Sequence, residues 1–267
     1  MNEMENLNES RIEIQFPERV IDGRELVGLL SEALDTGTSV SFDLLEDVLK
    51  QARKHNVEYR ELDFSEIDKN TVFSRRDILA ICDALPNARD QVVLLALFEG
   101  IVGNNFQEIL DLKMEHIKGR RVFIPSRGEY IYISEELLDL IKKAASETKY
   151  YPITKRGMRD PIDLESVDDH IIKLQTTEKM SPSRGMYILL QKIATYLNFK
   201  GPISSSQIRY SGEAAMVAQE AKRLGLTPKN FIFSPHRKIV TDHYNDSLAT
   251  APSRLYRRIE HYLPGLA

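Results

Sequence analysis

Apolar positions recur every three or four residues along most of this chain and alternate in only a few short stretches. The pattern therefore predicts a mainly α protein with little sheet. GRELVGLLSEAL (23–34) and SFDLLEDVLKQARKH (41–55) both read as helices, the second with Ser41 as N-cap and a basic last turn that suits the helix dipole. RIEIQF (11–16) predicts a short strand in a polar N-terminal tail. Residues 56–73 are polar and acidic and read as a linker, which places a domain boundary near residue 72. The expected domains are a short acidic helical one over 1–72 and a larger one over 73–267.

Beyond that boundary, SRRDILAICDAL (74–85) carries a capping-box variant, with Ser74 as N-cap and Asp77 at the third helical position. A helix over 87–102 follows, then a polar break at GNN and a short helix through FQEILDLK (106–113). VFIP (122–125) and YIYIS (130–134) flank the turn SRGE and predict a β-hairpin. Ser134 caps the next helix, 134–147. Residues 148–180 are irregular and charged. SPSRGMYILLQKIATYLNF (181–199) opens with a Ser cap and Pro at the first helical position. A helix over 204–224 stops at Gly225, and two more are expected at about 236–247 and 252–262. In the last, Leu255, Ile259 and Leu263 form one apolar stripe, suited to a core or to docking on a neighbouring subunit.

Composition narrows the class. The 267 residues are 42% hydrophobic, enough for a packed core. The single cysteine, Cys82, sits in the apolar pattern ILAICDAL and reads as a core residue, with no disulfide, zinc site or other cofactor implied. No apolar run reaches the ~18 residues that span a bilayer, so a cytoplasmic protein with no membrane partner is expected. The net charge of −4 conceals an asymmetry. Of 36 Lys+Arg and 40 Asp+Glu, residues 1–70 hold 8 and 17, a net of −9, leaving 28 and 23, a net of +5. The larger part is mildly basic, as a DNA-binding domain is; chance surface composition gives the same split.

Four segments, taken in order, carry a resemblance. V-G-N-N-F-Q-E-I-L-D-L (102–112) is similar to the T-G-L-R-x-S-E-L-L-x-L segment of tyrosine recombinases, the phage integrase family. Gly103, Glu108, Ile109, Leu110 and Leu112 match, and Asn105 stands at the arginine position. The hairpin resembles the one whose turn carries the family's lysine; Arg127 is the nearest basic residue here. S-Q-I-R resembles the H-x-x-R box, with Ser206 for histidine and Arg209 retained. H-R-K-I-V-T-D-H-Y supplies His236, Thr241 and Tyr244 at the later histidine, threonine and tyrosine positions. Residues 74–247 thus resemble the family's catalytic domain, which implies a tyrosine-recombinase-like fold.

In that family a tyrosine attacks a phosphate held by two guanidiniums, while Lys or His handles the leaving-group proton. Asn105 and Ser206 supply no such charge, and one oriented donor is worth ~10²–10³ in rate. The resemblance therefore implies a vestigial site (Asn105, Arg127, Ser206, Arg209, His236, Tyr244) with no catalytic residue expected. Phosphate binding demands less. The candidate DNA contacts are Arg209, Arg127, His236, Arg237, Lys238, Lys155, Arg156, Arg159, Arg184, Arg75 and Arg76, with Lys50, Arg53 and Lys54 on the N-terminal part. Plainer roles exist for the central ones. Arg209 suits an i,i+4 pair with Glu213, Tyr244 a core position with its hydroxyl at the edge, His236 a helix start, and Arg127 a solvated turn.

The leading expectation is a sequence-specific double-stranded-DNA binder, resembling the integrase-fold repressors of SPβ-like phages. It would serve as a phage or prophage repressor without phosphotransfer and self-associate on DNA through the C-terminal helix. Two alternatives stand beside it. One is an active, divergent recombinase using Tyr244. The other is a protein-interaction module, without DNA binding, that holds a partner through the acidic N-terminal part.

Overall fold

The computed structural model describes residues 63–164, 169–173, 182–245 and 251–263. The chain divides into two compact units, Met1–Glu61 and Leu62–Ala267, and all described residues lie in the second. The strand at 11–16, the helices at 23–34 and 41–55, and Lys50, Arg53 and Lys54 lie outside them.

Nine α-helices and seven short strands are seen among the described residues. Helix α1 (Arg75–Asp83) begins on the expected capping box: Asp77 N–H donates to Ser74 Oγ, and Ser74 N–H donates to Asp77 Oδ2. Such a cap is worth about 1 kcal/mol. Helix α2 (Ala88–Phe98) is apolar on nearly every side, and ten of its residues are buried. A helix with no polar face must be enclosed, and α2 is the axis against which α1, α4 (Glu135–Ser146) and α6 (Ser205–Arg223) pack. It stops short of the expected residue 102. Gly100, at φ 85°, closes a Schellman turn in which Gly100 N–H donates to Leu97 O and Ile101 N–H to Ala96 O.

The segment after that turn is tighter than the sequence pattern suggests. A 3₁₀ turn at Asn104–Phe106 runs into α3 (Gln107–Leu110), only one helical turn long. Asn105 and Phe106 both have positive φ (51° and 64°), a left-handed kink that continuous helical periodicity does not signal. The expected hairpin is present as β2 (Arg121–Ile124) and β3 (Glu129–Tyr132). It gains a third antiparallel strand, β1 (Ile117–Lys118), on the β2 edge. Phe123 faces Tyr130 and Arg121 faces Tyr132 in the register.

Residues 148–163 are not irregular. They form two small antiparallel pairs, β4 (Lys149–Tyr150) with β7 (Ile162–Asp163) and β5 (Ile153–Thr154) with β6 (Gly157–Met158). Helix α5 (Pro182–Tyr196) precedes α6, which is capped by Ser204. Helix α7 (Pro228–Phe233), with Thr227 as N-cap and Pro at its first position, was not anticipated, although that pair is a start signal. The expected helix at 236–247 is shorter: a 3₁₀ turn at Pro235–Arg237 and then α8 (Lys238–His243). Helix α9 (Pro252–Ile259) buries Leu255 and Ile259, so its apolar stripe is taken up within the chain's own core.

Residues 63–73 also differ from the linker reading. Ile67 and Phe73 are buried in the core, and Gln207 of α6 donates to the carbonyls of Asp68 and Thr71. Phe73 N–H donates to Ser211 Oγ. A few apolar side chains in a polar segment suffice when their backbone polar groups find partners. Cys82 is buried, as expected, and burial pushes its thiol up to about 12.

Helix α6 crosses the end of α2 very closely. A Cβ at Gly212 would overlap the Phe98 carbonyl oxygen and stand 2.8 Å from the Tyr244 hydroxyl. Gly212→Ala is therefore expected to push the helices apart and destabilise the unit by about 3 kcal/mol, at the upper end for overpacking. Gly201→Ala meets only ordinary contacts, the nearest at 3.6 Å, and is expected to be near neutral. Thermal unfolding of both variants checks this, and equal melting temperatures would refute the tight crossing.

Candidate functional site

The end of α2, the loop before α3, the β2–β3 turn, α6 and the end of α8 converge on one cavity of about 360 Å³. Val102, Gly103, Asn104, Glu108, Arg127, Arg209, Tyr244 and Asn245 line it. Three of the six residues of the expected site, Arg127, Arg209 and Tyr244, are thus brought together. The other three are not in the lining. Asn105 is exposed on the 3₁₀ turn, with Asn104 lining the cavity instead. Ser206 is exposed in the first turn of α6, and His236 is exposed in the turn before α8.

Arg127 is not a solvated turn residue; its side chain is 2% exposed. Its guanidinium makes four hydrogen bonds. Nε donates to Glu108 Oε1 (2.8 Å) and Nη2 to Glu108 Oε2, a bidentate pair. Nη1 donates to the His243 carbonyl (2.7 Å) and Nη2 also to the Gly100 carbonyl (2.7 Å). One side chain thus ties the hairpin turn to the ends of α2 and α8. Glu108 in turn accepts from Val102 N–H (3.0 Å), which closes the loop between α2 and α3. Burial works to raise the Glu108 pKa, but the Arg127 hydrogen bonds and charge outweigh it and hold the carboxyl below its usual value.

Arg209 projects from the second turn of α6, and its Nη2 donates to the Tyr244 carbonyl at 2.8 Å. Two guanidiniums therefore meet the consecutive carbonyls of His243 and Tyr244 at the C-terminal end of α8. Those carbonyls have no partners further along the helix, and the helix dipole concentrates negative charge there, so cations are favoured. Glu213 pairs with Arg258 of α9 at 2.6 Å.

Tyr244 is a core residue, and its hydroxyl is not at an edge. It is 3% exposed, and the hydroxyl donates to the Phe98 carbonyl at 2.6 Å. Its ring lies against Gly100, where a Cβ would stand 2.9 Å from the ring. Burial, assisted by the charges of Glu213 and Glu99, pushes the phenol well above its ordinary value.

Sequence reasoning missed His243, although it precedes Tyr244 directly. Its Nε2 lies 2.9 Å from the Glu99 carbonyl, and its ring packs edge-on to Tyr244. Burial above all holds its pKa below the ordinary histidine value, and because a carbonyl only accepts, Nε2 is the nitrogen that donates. Glu108 was visible as a motif match, but its role as Arg127's counter-ion was not, because 19 residues separate the two.

The remaining candidate contacts lie outside the cavity lining. Arg75 bridges Glu99 and Glu136, joining α1, α2 and α4. Arg76 is exposed on α1, Arg184 is exposed on α5, and Lys155, Arg156 and Arg159 are exposed on the β5–β6 hairpin and the residue after it. Arg237 donates to the Ser234 carbonyl, and Lys238 is exposed.

The Arg127–Glu108 pair sets a pH dependence. The Glu108 pKa is lower folded than unfolded, so its stabilisation is complete above about pH 5 and is lost as pH falls through the folded value. Glu108→Gln is expected to remove that acid sensitivity and to lower stability at pH 7 by about 3 kcal/mol, since Arg127 keeps a buried charge without its counter-ion. Thermal unfolding between pH 3 and 7 measures both; parallel curves for the variant and parent would contradict the assignment.

One comparison with known proteins identifies a family. The family model described as MrpR, C-terminal catalytic domain, matches residues 72–251, more than half of the chain. No curated protein matches the chain. Among solved structures, one titled "Crystal structure of XerA recombinase" is 10% identical, with a TM-score of 0.42, over 91% of this chain and 84% of that one. The ordered motifs, the helix–hairpin–helix arrangement around the cavity and the family match lead to one conclusion: this chain belongs to the family of the MrpR C-terminal catalytic domain and carries a tyrosine-recombinase-like fold.

Proposed function

We propose that this protein binds double-stranded DNA through a tyrosine-recombinase-like domain that does not cut it, and that it acts as a sequence-specific transcriptional repressor in a phage or prophage. The observation that carries the reading is the placement of the Tyr244 hydroxyl. A nucleophile must reach a phosphate, yet this hydroxyl is bonded to the Phe98 carbonyl inside the core and is held protonated by burial. Arg127 supports the same view, because four of its donor interactions go to protein acceptors. Asn105 contributes no charge where the resembled family has an arginine.

Holding DNA needs only cations on an accessible surface. Arg76, Arg184, Lys155, Arg156, Arg159 and Lys238 are exposed and suit backbone contact. Arg209, on the cavity wall, is the residue best placed for a phosphate that enters there.

A second reading, an active recombinase using Tyr244, draws on one observation: Arg127, Arg209 and Tyr244 still line a common cavity. It requires the hydroxyl to leave the Phe98 carbonyl and turn outward.

The two readings separate on a nicked suicide duplex with the full-length protein. The expected result is retention of duplex that weakens steeply with salt, and no covalent adduct. Arg209→Ala is expected to weaken binding about tenfold across sequences and to reduce the salt slope by about one. An adduct that disappears in Tyr244→Phe would establish the recombinase instead. Failure to retain any duplex at low salt would point to a protein-interaction module.

A further inference from the structure

The three-stranded sheet has an outer face that the cavity does not use. The register places Lys118, Arg121 and Tyr132 in one row across it and Phe123 and Tyr130 in another. Val122, Ile124 and Ile131 are buried on the opposite face. Tyr132 is 70% exposed and Tyr130 41% exposed, and Phe123 is half-buried beside them. Three rings are in contact: Phe123 and Tyr130 have centroids 5.2 Å apart, and His116 stands 6.2 Å from Phe123. Two cations lie over Tyr130, Lys118 Nζ at 5.4 Å and Arg121 Cζ at 5.6 Å. Arg120 is exposed on the tight β1–β2 turn, so Lys118-Gly119-Arg120-Arg121 puts three cations in four residues.

The charged residues placed on this face by the register, Lys118 and Arg121, are cations. Glu129 opposes Ile124, so it belongs to the other face by strand alternation. Glu115 stands 3.9 Å from His116 at the edge of the aromatic cluster. Exposed aromatic rings with cations beside them match a ligand that has both flat π surfaces and a polyanionic backbone. A duplex keeps its bases stacked inside and offers no ring face to Tyr132. A single strand offers every base. The spacing also fits. Tyr130 and Tyr132 are two residues apart on β3, about 7 Å along the strand. That is about twice the 3.4 Å rise per nucleotide of stacked DNA and suits bases splayed one per ring.

We infer that the outer face of the β1–β2–β3 sheet is a binding surface for single-stranded nucleic acid, in which Tyr130 and Tyr132 stack on unpaired bases and Lys118, Arg120 and Arg121 contact the backbone. This surface is separate from the cavity and does not rest on how the cavity treats duplex DNA.

Fluorescence anisotropy of the full-length protein with a labelled mixed-sequence single-stranded DNA 12-mer at low salt tests it. Binding is expected, with affinity reduced about tenfold in Tyr132→Ala and further in the Tyr130→Ala, Tyr132→Ala double variant, a loss in the range of one or two base stacks. Tyr132→Phe keeps the ring and is expected to retain affinity. Thermal unfolding of each variant confirms that the sheet is intact. No binding of the 12-mer would overturn the proposal, as would equal affinity for Tyr132→Ala and the parent, which would reduce the contact to charge alone. A change of mass in light scattering in the double variant, without oligonucleotide binding by the parent, would assign the face to a second copy of the chain and also overturn it. The duplex assay is read separately, so loss of duplex binding bears on the proposed function and not on this surface.

Discussion

The architecture around the cavity depends on one buried guanidinium. Arg127 is enclosed, and an enclosed charge is tolerated only when its donors find acceptors. Glu108 supplies the opposite charge, and the carbonyls of Gly100 and His243 supply the remaining acceptors. These acceptors come from two parts of the chain far apart in sequence, the stretch from Gly100 to Glu108 and the end of α8. Removing any of them leaves a charge in a dry place, so the hairpin turn, the Gly100 turn and the end of α8 are held together as one unit.

Tyr244 lies within that unit. Arg127 and Arg209 fix the carbonyls of His243 and Tyr244, which sets where α8 ends and where the Tyr244 side chain must go. The absence of side chains at Gly100 and Gly212 leaves room for its ring and hydroxyl beside Phe98. His243 completes the arrangement by donating to the Glu99 carbonyl, next to the one that Tyr244 uses. The last turn of α2 therefore accepts hydrogen bonds from two consecutive residues at the end of α8, His243 and Tyr244. Residues matched to a phosphotransfer motif are engaged here in joining helix ends.

Charge is distributed by a similar division. Arg75, Arg127 and Arg258 pair with the largely buried carboxylates Glu99, Glu108 and Glu213 and join elements. Arg76, Arg184, Lys155, Arg156, Arg159 and the Lys118–Arg121 turn are exposed. The Arg127 and Arg258 pairs are largely shielded from salt by burial, whereas Arg75 is about a third exposed; the second group is open to solvent and to a polyanion, and is screened by salt.

Local rules made much of the fold legible. The Ser74 capping box, the hairpin around Ser126–Glu129, the Ser134 cap, and the apolar run of α2 each act within a few residues, so composition and spacing reveal them. The ordered motifs were enough to point to the recombinase-like fold. The left-handed kink at Asn105 and Phe106, the packing of residues 63–73 and the short α8 were not legible, because each is imposed by contacts with distant segments. The site divides in the same way. The sequence by itself determined that Arg127, Arg209 and Tyr244 were present in the right order and that Asn105 was not an arginine. Only the tertiary structure decided that Arg127 answers to Glu108 and that the Tyr244 hydroxyl answers to Phe98. A hydrogen bond depends on distance and direction in space, and neither is encoded in the spacing of residues along the chain.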